Sequence, residues 1–435
     1  MILVDTELRR RAHADKPVRF AMFGAGFMGR GIANQVSRYT PGMDLAAICN
    51  RSVDAAVYAY AQAGIDDVKV VTSAAQLDDV VRVGGHAVTD DPAVVCGSQL
   101  VEAVVEATGH VEYGAQVTVS AIEHGKHVVL MNAELDATIG PLLRRRAETA
   151  RVVYTGCDGD QPGVQMNLLR FVQSIGLRPL VAGNIKGLQD RYRNPTTQAS
   201  FAKQWGQTPN MVTSFADGTK ISMEQALVAN ATGMKVAERG MIGLDHHGHV
   251  DDLVTMYDLD EVRELGGVVE YVVGSQPSPG VYVLAEAQDD AQKLYLDYGK
   301  LGSGPVYSFY VPYHLTIFEV ALSVARVVLF HDTVIAPVAG PVVDVVTTAK
   351  VDSPAGTVLD GLGYYMTYGQ CENYDVVRSD DLLPMGLAEG CRLVRDVVKD
   401  QVLTYADVEL PTNTSVHALR AEQDALYPAV ATVST

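Results

Sequence analysis

The stretch Val18–Val36, VRFAMFGAGFMGRGIANQV, constrains what this chain can fold into more than any other. An apolar run, Phe20 to Phe23, leads directly into Gly24-x-Gly26-x-x-Gly29. Met28, Ile32 and Val36 then recur at four-residue spacing, one face of a helix. A G-x-G-x-x-G pattern carries meaning when strand, tight turn and helix surround it in this way. Gly24 permits the turn, Gly26 lets a pyrophosphate approach the backbone, and Gly29 lets the helix lie close to the strand. The free N–H groups and positive end of the helix then face a diphosphate. The pattern predicts a dinucleotide site holding its cofactor at Gly24, Gly26, Phe27, Met28 and Gly29. The matching fold class is α/β, a Rossmann-type doubly wound parallel sheet.

The end of the next strand bears on which dinucleotide. Asp44–Cys49 reads as that strand, followed by Asn50, Arg51 and Ser52. A fold preferring NAD places an acid here for the ribose 2′-hydroxyl. This chain has none; Arg51 is a bidentate phosphate binder and Ser52 a small donor, a pair suited to the 2′-phosphate of NADP. The plainer reading of Arg51 is a solvated loop residue. Val101–Gly109 and Val128–Asn132 read as further parallel strands, which places Glu106, Thr108, Gly109 and Asn132 at carboxyl ends, where open sheets bind ligands. Thr108, Gly109 and Asn132 are therefore cofactor candidates, Thr108 with helix capping as its alternative. A helix over Ile139–Ala150 and a strand over Arg151–Thr155 complete the expected nucleotide domain, residues 1–155.

At 435 residues the chain calls for two or three domains. A net charge of −18 and a pI near 5.0 argue against nucleic-acid or anionic-membrane partners. No apolar run reaches the roughly 18–20 residues of a membrane span. The early charges of MILVDTELRRRAHADK do not suit a signal peptide. Five scattered cysteines in no C-x-x-C pair read as reduced thiols, so a cytoplasmic setting is expected.

A second centre of chemistry is expected over residues 156–330, an α+β catalytic and dimerisation domain whose last helix packs back on the nucleotide domain. In Gly156-Cys157-Asp158-Gly159-Asp160-Gln161-Pro162-Gly163, two carboxylates one residue apart at a strand end can chelate a divalent ion, Mg²⁺ or Mn²⁺, or polarise a hydroxyl. Capping the following helix is the other reading of Asp160. Lys186 to Met241 is cationic against an acidic background, with Lys186, Arg191, Arg193 and Lys220 among its charges. Together with Asn194 and Thr196 this suits a hydroxylated or anionic small substrate, a solvated face being the alternative. Lys186 and Lys220 are candidates for proton transfer or oxyanion stabilisation, and neighbouring cations would lower a lysine pKa there. His314 is either a substrate contact or a buried, satisfied imidazole. Asp245-His246-His247-Gly248-His249 lacks the helical i, i+4 spacing of a zinc site and reads as a polar loop. From Pro337 onward, frequent Gly/Pro turns and short β-rich runs predict a compact β-rich module, residues 331–435.

Three segments, FGAGFMGRGIANQ, MNAELDATIG…GDQPG…DGTKISMEQALVANATG and PYHLTIFEVALSVAR, together resemble the 1-deoxy-D-xylulose-5-phosphate reductoisomerase-like proteins. That branch is allied to the homoserine dehydrogenases, whose GKHVV-x-x-N stretch is similar to GKHVVLMN here. The final third, through KVDSPAGTVLDGLG and LLPMGLAEG, resembles their SAF-like (β-clip) module. The resemblance implies an NADPH-dependent oxidoreductase, a homodimer or tetramer, with a divalent metal at Asp158 and Asp160 helping to bind a small polyol-like hydroxyketone. It implies hydride transfer with or without carbon-skeleton rearrangement. A plain homoserine or sugar-acid dehydrogenase and a non-catalytic NADPH sensor are the alternatives. Gln161 stands where relatives carry an acid in the GD-x-P turn.

Overall fold

The computed structural model describes residues 2–412 and 414–428. It divides into two compact units. The first runs from the N-terminus to Asp136 and takes in Leu142–Asp160 and Leu315–Ala336. The second holds Ala137–Pro141, Gln161–His314 and the chain from Pro337 onward.

The first unit is built on seven strands: β1 (Val18–Phe23), β2 (Met43–Cys49), β3 (Val68–Val70), β4 (His86–Thr89), β5 (Ala103–Glu106), β6 (His127–Leu130) and β7 (Tyr154–Gly156). They lie in the order β3-β4-β2-β1-β5-β6-β7, every neighbouring pair parallel. β1 is central and covered on both faces, so its run is apolar nearly throughout and buried. The chain leaves β1 toward one edge, then returns to lay β5 on its other side. That reversal makes β1 and β5 the topological switch point, where open sheets bind ligands.

Helix Thr316–Phe330, expected to end the second domain and to pack back on the nucleotide domain, does so and is counted in the first unit. It buries Val320, Ala321, Val324 and Val327 in one core with Phe20, Met22, Ile32 and Leu45. Gly31 admits it: a Cβ there would stand 2.7 Å from the Ile317 side chain. The helix expected from Ile139 begins at Ala133, capped by Asn132. Its first turns carry Glu134, Asp136 and Thr138, whose polarity hid them from a hydrophobic-period reading although all three are buried. Arg151 then ends this helix in the left-handed conformation, so the strand begins at Tyr154.

The second unit carries a mixed sheet of β8 (Arg178–Lys186), β9 (Leu244–Asp245), β10 (Val268–Val273), β11 (Gly280–Glu286) and β12 (Val306–Val311). The order is β12-β11-β8-β10-β9, with β8 parallel to β10 and antiparallel to β11. Helices Gln161–Ser174 and Thr219–Thr232 belong to the same unit, the second buried almost along its length.

Where a separate β-rich module is expected, the chain after Pro337 joins this same unit. β13 (Val343–Ala349) and β14 (Thr367–Asn373) form an antiparallel pair, as do the two-residue strands β15 (Arg392–Leu393) and β16 (Val408–Glu409). Hydrogen bonds tie β14 to helix Thr219–Thr232: Gly369 N donates to Thr219 Oγ1 at 2.9 Å and Ser222 Oγ donates to Gly369 O at 3.2 Å. A helix over Ser415–Leu426 also appears where no helical period is evident. Its inward face carries Val416, Arg420 and Gln423, and Arg420 is buried on Asp344, Asp424 and the Thr138 carbonyl. Polar residues on the buried side cancel the usual apolar stripe.

Candidate functional site

On the first unit the glycine turn follows β1 as the sequence requires. Gly24 sits at φ +108°, and a Cβ there would stand 2.9 Å from Ala107 O, so the turn passes directly beside the chain leaving β5. A Cβ at Gly29 would meet Gly24 O at 2.5 Å, which is why strand and helix can lie this close. Gly26 is different: a Cβ there would meet nothing within 4 Å. It is the N-cap of helix Phe27–Tyr39, with no side chain capping the helix amides. An exposed, uncapped helix start with clear space over Gly26 fits a pyrophosphate. Phe27 is exposed and Met28 half-buried beside it.

Asn50 accepts a hydrogen bond from Ala25 N at 3.1 Å and donates to Ser52 O at 2.9 Å, bracing the turn rather than presenting its amide outward. Ser52 caps helix Val53–Gln62 by accepting from Ala55 N. Arg51 is exposed, and among the described residues none hydrogen-bonds its guanidinium. Of the three residues after β2, Arg51 therefore keeps its phosphate-binding groups available.

At the end of β5, Thr108 is not a helix cap; that place belongs to His110. Thr108 donates from both N, at 2.8 Å, and Oγ1 to Glu106 Oε1. Glu106 is wholly buried, and burial pushes its carboxyl up to about 6 against the opposing pull of Thr108 and Asn132. Gly109 turns the chain at φ +70°. Asn132 is spent on structure, accepting from Leu135 N and donating to His110 O. Asp136, one turn into the same helix, is buried too, and burial raises its carboxyl to about 7.

The expected metal pair does not assemble. Asp158 has no exposed surface; Arg326 Nη1 donates to its Oδ1 at 2.7 Å and Ser323 Oγ to its Oδ2 at 3.1 Å. Its backbone N donates to Ser323 Oγ as well. A carboxylate buried in an ion pair with both oxygens engaged braces the strand end against helix Thr316–Phe330. Asp160 is half-buried and lies just before helix Gln161–Ser174. Among the described residues, no group of three or more His, Cys, Asp or Glu side chains could hold a metal ion. His246, His247 and His249 each pair with a nearby aspartate, as a polar loop would.

On the second unit the two expected lysines do come together. Lys186 ends β8, and Lys220 lies in the first turn of helix Thr219–Thr232, with Glu224 one turn further on. Burial holds the Lys186 ammonium below the usual lysine range; Lys220 pushes the same way, and Glu224 opposes both. Asn184, two residues before Lys186 and so on the same face of β8, donates to Gln161 Oε1 and, at 3.5 Å, to Glu224 Oε2. Gln165, one turn after Gln161, is fully buried, and neither end of its amide has a hydrogen-bond partner among the described residues; nor has Asn184 Oδ1. Buried amides left this way are costly unless a ligand or water engages them.

Asn194 caps helix Pro195–Trp205 in a reciprocal box with Thr197, and Thr196 hydrogen-bonds Tyr365, so both have structural work. His314 is half-buried two residues before helix Thr316–Phe330, whose N-cap is Leu315. Sequence reasoning missed Glu224, Asn184, Gln161 and Gln165 as a group. Asn184 in the otherwise apolar run of β8, at i−2 from Lys186, and Glu224, at i+4 from Lys220, were the available signals.

Among known families, residues 24–155 match the homoserine dehydrogenase NAD-binding domain and residues 159–320 the catalytic domain of oxidoreductase DRL. No curated protein matches the chain. Solved structures similar to it include a homoserine dehydrogenase from Thiobacillus denitrificans, at 13% identity over 89% of this chain and 98% of that one, TM-score 0.43. An amine dehydrogenase from Mycobacterium smegmatis matches at 13% identity over 74% and 94% of the two chains, TM-score 0.40. A myo-inositol 2-dehydrogenase from Lactobacillus plantarum matches at 12% over 63% and 75%, TM-score 0.35. The two family matches describe an NAD(P)-dependent oxidoreductase with a nucleotide domain of the homoserine dehydrogenase type.

Proposed function

Taking an NAD(P)-dependent oxidoreductase as the premise, we propose that this chain prefers NADPH and interconverts the ketone and secondary alcohol of a small hydroxylated substrate bearing a carboxylate or phosphate. The observation that carries the reading is the lysine cluster of the second unit: Lys186 and Lys220 with Glu224, together with Asn184, which reaches Glu224 and keeps an unpartnered Oδ1, and the unpartnered amide of Gln165 one turn from Gln161. Two ammonium groups suit an anionic substituent, and buried amide groups with open valences suit substrate hydroxyls. Asn194, Thr196 and His314 are the less favoured substrate contacts, since the first two already have partners.

The nucleotide is held by the amides from Gly24 to Gly29 with its 2′-phosphate on Arg51, and once bound the nicotinamide supplies the hydride. Lys186 donates the proton that the new alkoxide requires. A lowered ammonium pKa makes that donation easier near neutrality, and the oxygen's developing charge is stabilised by Lys220. Glu224 keeps the pair charge-balanced, and Asn184 orients Glu224. Gly109 and Thr108 shape the sheet end beside the glycine turn. The rearranging variant implied by the resemblance relied on a metal at Asp158 and Asp160, and the engagement of Asp158 by Arg326 and Ser323 favours plain hydride transfer.

The test follows nicotinamide absorbance with NADPH and NADH across ketose phosphates, sugar acids and homoserine, with products analysed for carbon connectivity. Lys186→Met is expected to abolish turnover while leaving NADPH affinity within about twofold, because it removes proton transfer and not nucleotide binding. A Lys186→Met enzyme with wild-type turnover ends the reading.

A further inference from the structure

The buried ammonium of Lys350 has no part in the chemistry above, yet it sits where the two lysine-bearing segments are joined. Lys350 is 3% exposed. Its Nζ donates to Arg193 O at 2.8 Å, to Tyr364 O at 2.9 Å and to Asp217 Oδ2 at 2.9 Å. All three protons of the ammonium are therefore placed. Arg193 belongs to the loop that leaves β8 directly after Lys186. Asp217, itself 1% exposed, lies three residues before Lys220; its Oδ1 accepts from Thr219 N at 2.9 Å, in the first turn of the helix that carries Lys220. One cation thus grips both segments from which the site's ammonium groups project.

Neighbouring contacts run along the same seam. Gly218, at φ +94°, brings its Cα against the Gln189 side chain, where a Cβ would collide. Asp190 N donates to Ala216 O at 2.8 Å. From the C-terminal segment, Gly369 N donates to Thr219 Oγ1, and Cys371 Sγ to Ser222 O at 3.1 Å. A dry ion pair of this kind gains little over apolar packing and is best explained by the geometry it enforces.

We propose that Lys350 is a positioning residue: with Asp217 it locks the loop after Lys186 to the helix start before Lys220, so the segment after Pro337 is a working part of the lysine site. The inference rests on the lysine cluster being the site, but its test does not need the substrate. The full-length chain is acetylated with acetic anhydride at a series of pH values, and each lysine's rate is read by peptide mass spectrometry. Lys69, exposed, serves as the internal standard. The pH midpoint of each rate reports the ammonium's environment independently of access.

Lys350→Met/Asp217→Asn removes both charges together and so avoids an orphaned buried ion. In it the midpoint of Lys186 is expected to shift toward that of Lys69, changing its relative rate near neutrality at least about threefold. Thr219→Val, a milder change that deletes the acceptor for Gly369 N, is expected to shift the Lys186 midpoint the same way, and Thr219→Ser to restore the wild-type profile. An unchanged Lys186 midpoint in a cooperatively folded double variant, or in Thr219→Val should the double variant not fold, overturns the proposal. So does a Thr219→Ser profile that matches Thr219→Val. Failure of the substrate panel with a positive labelling result would instead indict the oxidoreductase chemistry assigned to the cluster.

Discussion

Replacing Arg326 by methionine and, separately, Asp158 by asparagine tests whether the acidic turn is a brace or a metal site. The two partners are unequally placed. Arg326 faces two carboxylates, donating to Asp158 from Nη1 and to Asp332 from Nε and Nη2 at 2.9 and 2.6 Å. Asp158 is fully buried and loses its counter-ion when Arg326 goes, so Arg326→Met should cost about 3–5 kcal/mol, the range for stranding a buried charge. Asp158→Asn leaves Arg326 with Asp332 and loses chiefly a charge-assisted hydrogen bond, about 1.5–3 kcal/mol. For a unit of this size each kcal/mol moves the thermal midpoint roughly 2–4 °C, so scanning calorimetry resolves the two. The double variant should be more stable than Arg326→Met alone, because the fully buried carboxylate is then gone, while the more exposed Asp332 loses Arg326 equally in both. Asp158→Asn as damaging as Arg326→Met would refute the brace. So would an Asp158→Asn protein of wild-type stability that has lost a Mg²⁺ or Mn²⁺ response.

Other perturbations separate the remaining assignments. Gly26→Val should fold normally and weaken NADPH binding at least about tenfold by filling the space over the helix start, whereas Gly24→Ala and Gly29→Ala should lower stability through backbone collisions at 2.9 and 2.5 Å; calorimetry beside nucleotide titration distinguishes them. Arg51→Ala should raise the NADPH dissociation constant about tenfold, roughly 1.4 kcal/mol, and barely alter that of NADH; equal effects on both would remove the 2′-phosphate assignment. Asp136 titrates near 7 when folded and near 3.8 when unfolded, so between those values the native state binds the extra proton. Its stabilising contribution is complete below the unfolded value and is lost as pH rises through the folded one. Asp136→Asn should therefore flatten the fall in stability between about pH 4 and pH 7 seen in urea titrations.

The glycine turn was legible because its requirements are local. Gly24, Gly26 and Gly29 answer to backbone approach within a dozen residues, and a parallel central strand such as β1 announces itself as an apolar run. The place of Arg51 was legible for the same reason, since it follows directly on the end of one strand and is exposed there. Lys186 and Lys220 were visible as cations in an acidic chain, but their company was not.

What the sequence by itself determined is the nucleotide turn, the parallel sheet around it and the type of residue available for chemistry, since short-range sterics and hydrophobic period act along the chain. Tertiary structure alone decided which polar residues were free to act. It spent Asp158 on Arg326, Asn132 and Ser52 on helix ends, and Asn194 on its own capping box, while bringing Glu224 to the lysines and Asn184 to Glu224. A carboxylate or amide looks the same in sequence whether its partner is solvent, substrate or an arginine 168 residues away, and only the packed core determines which of these it meets.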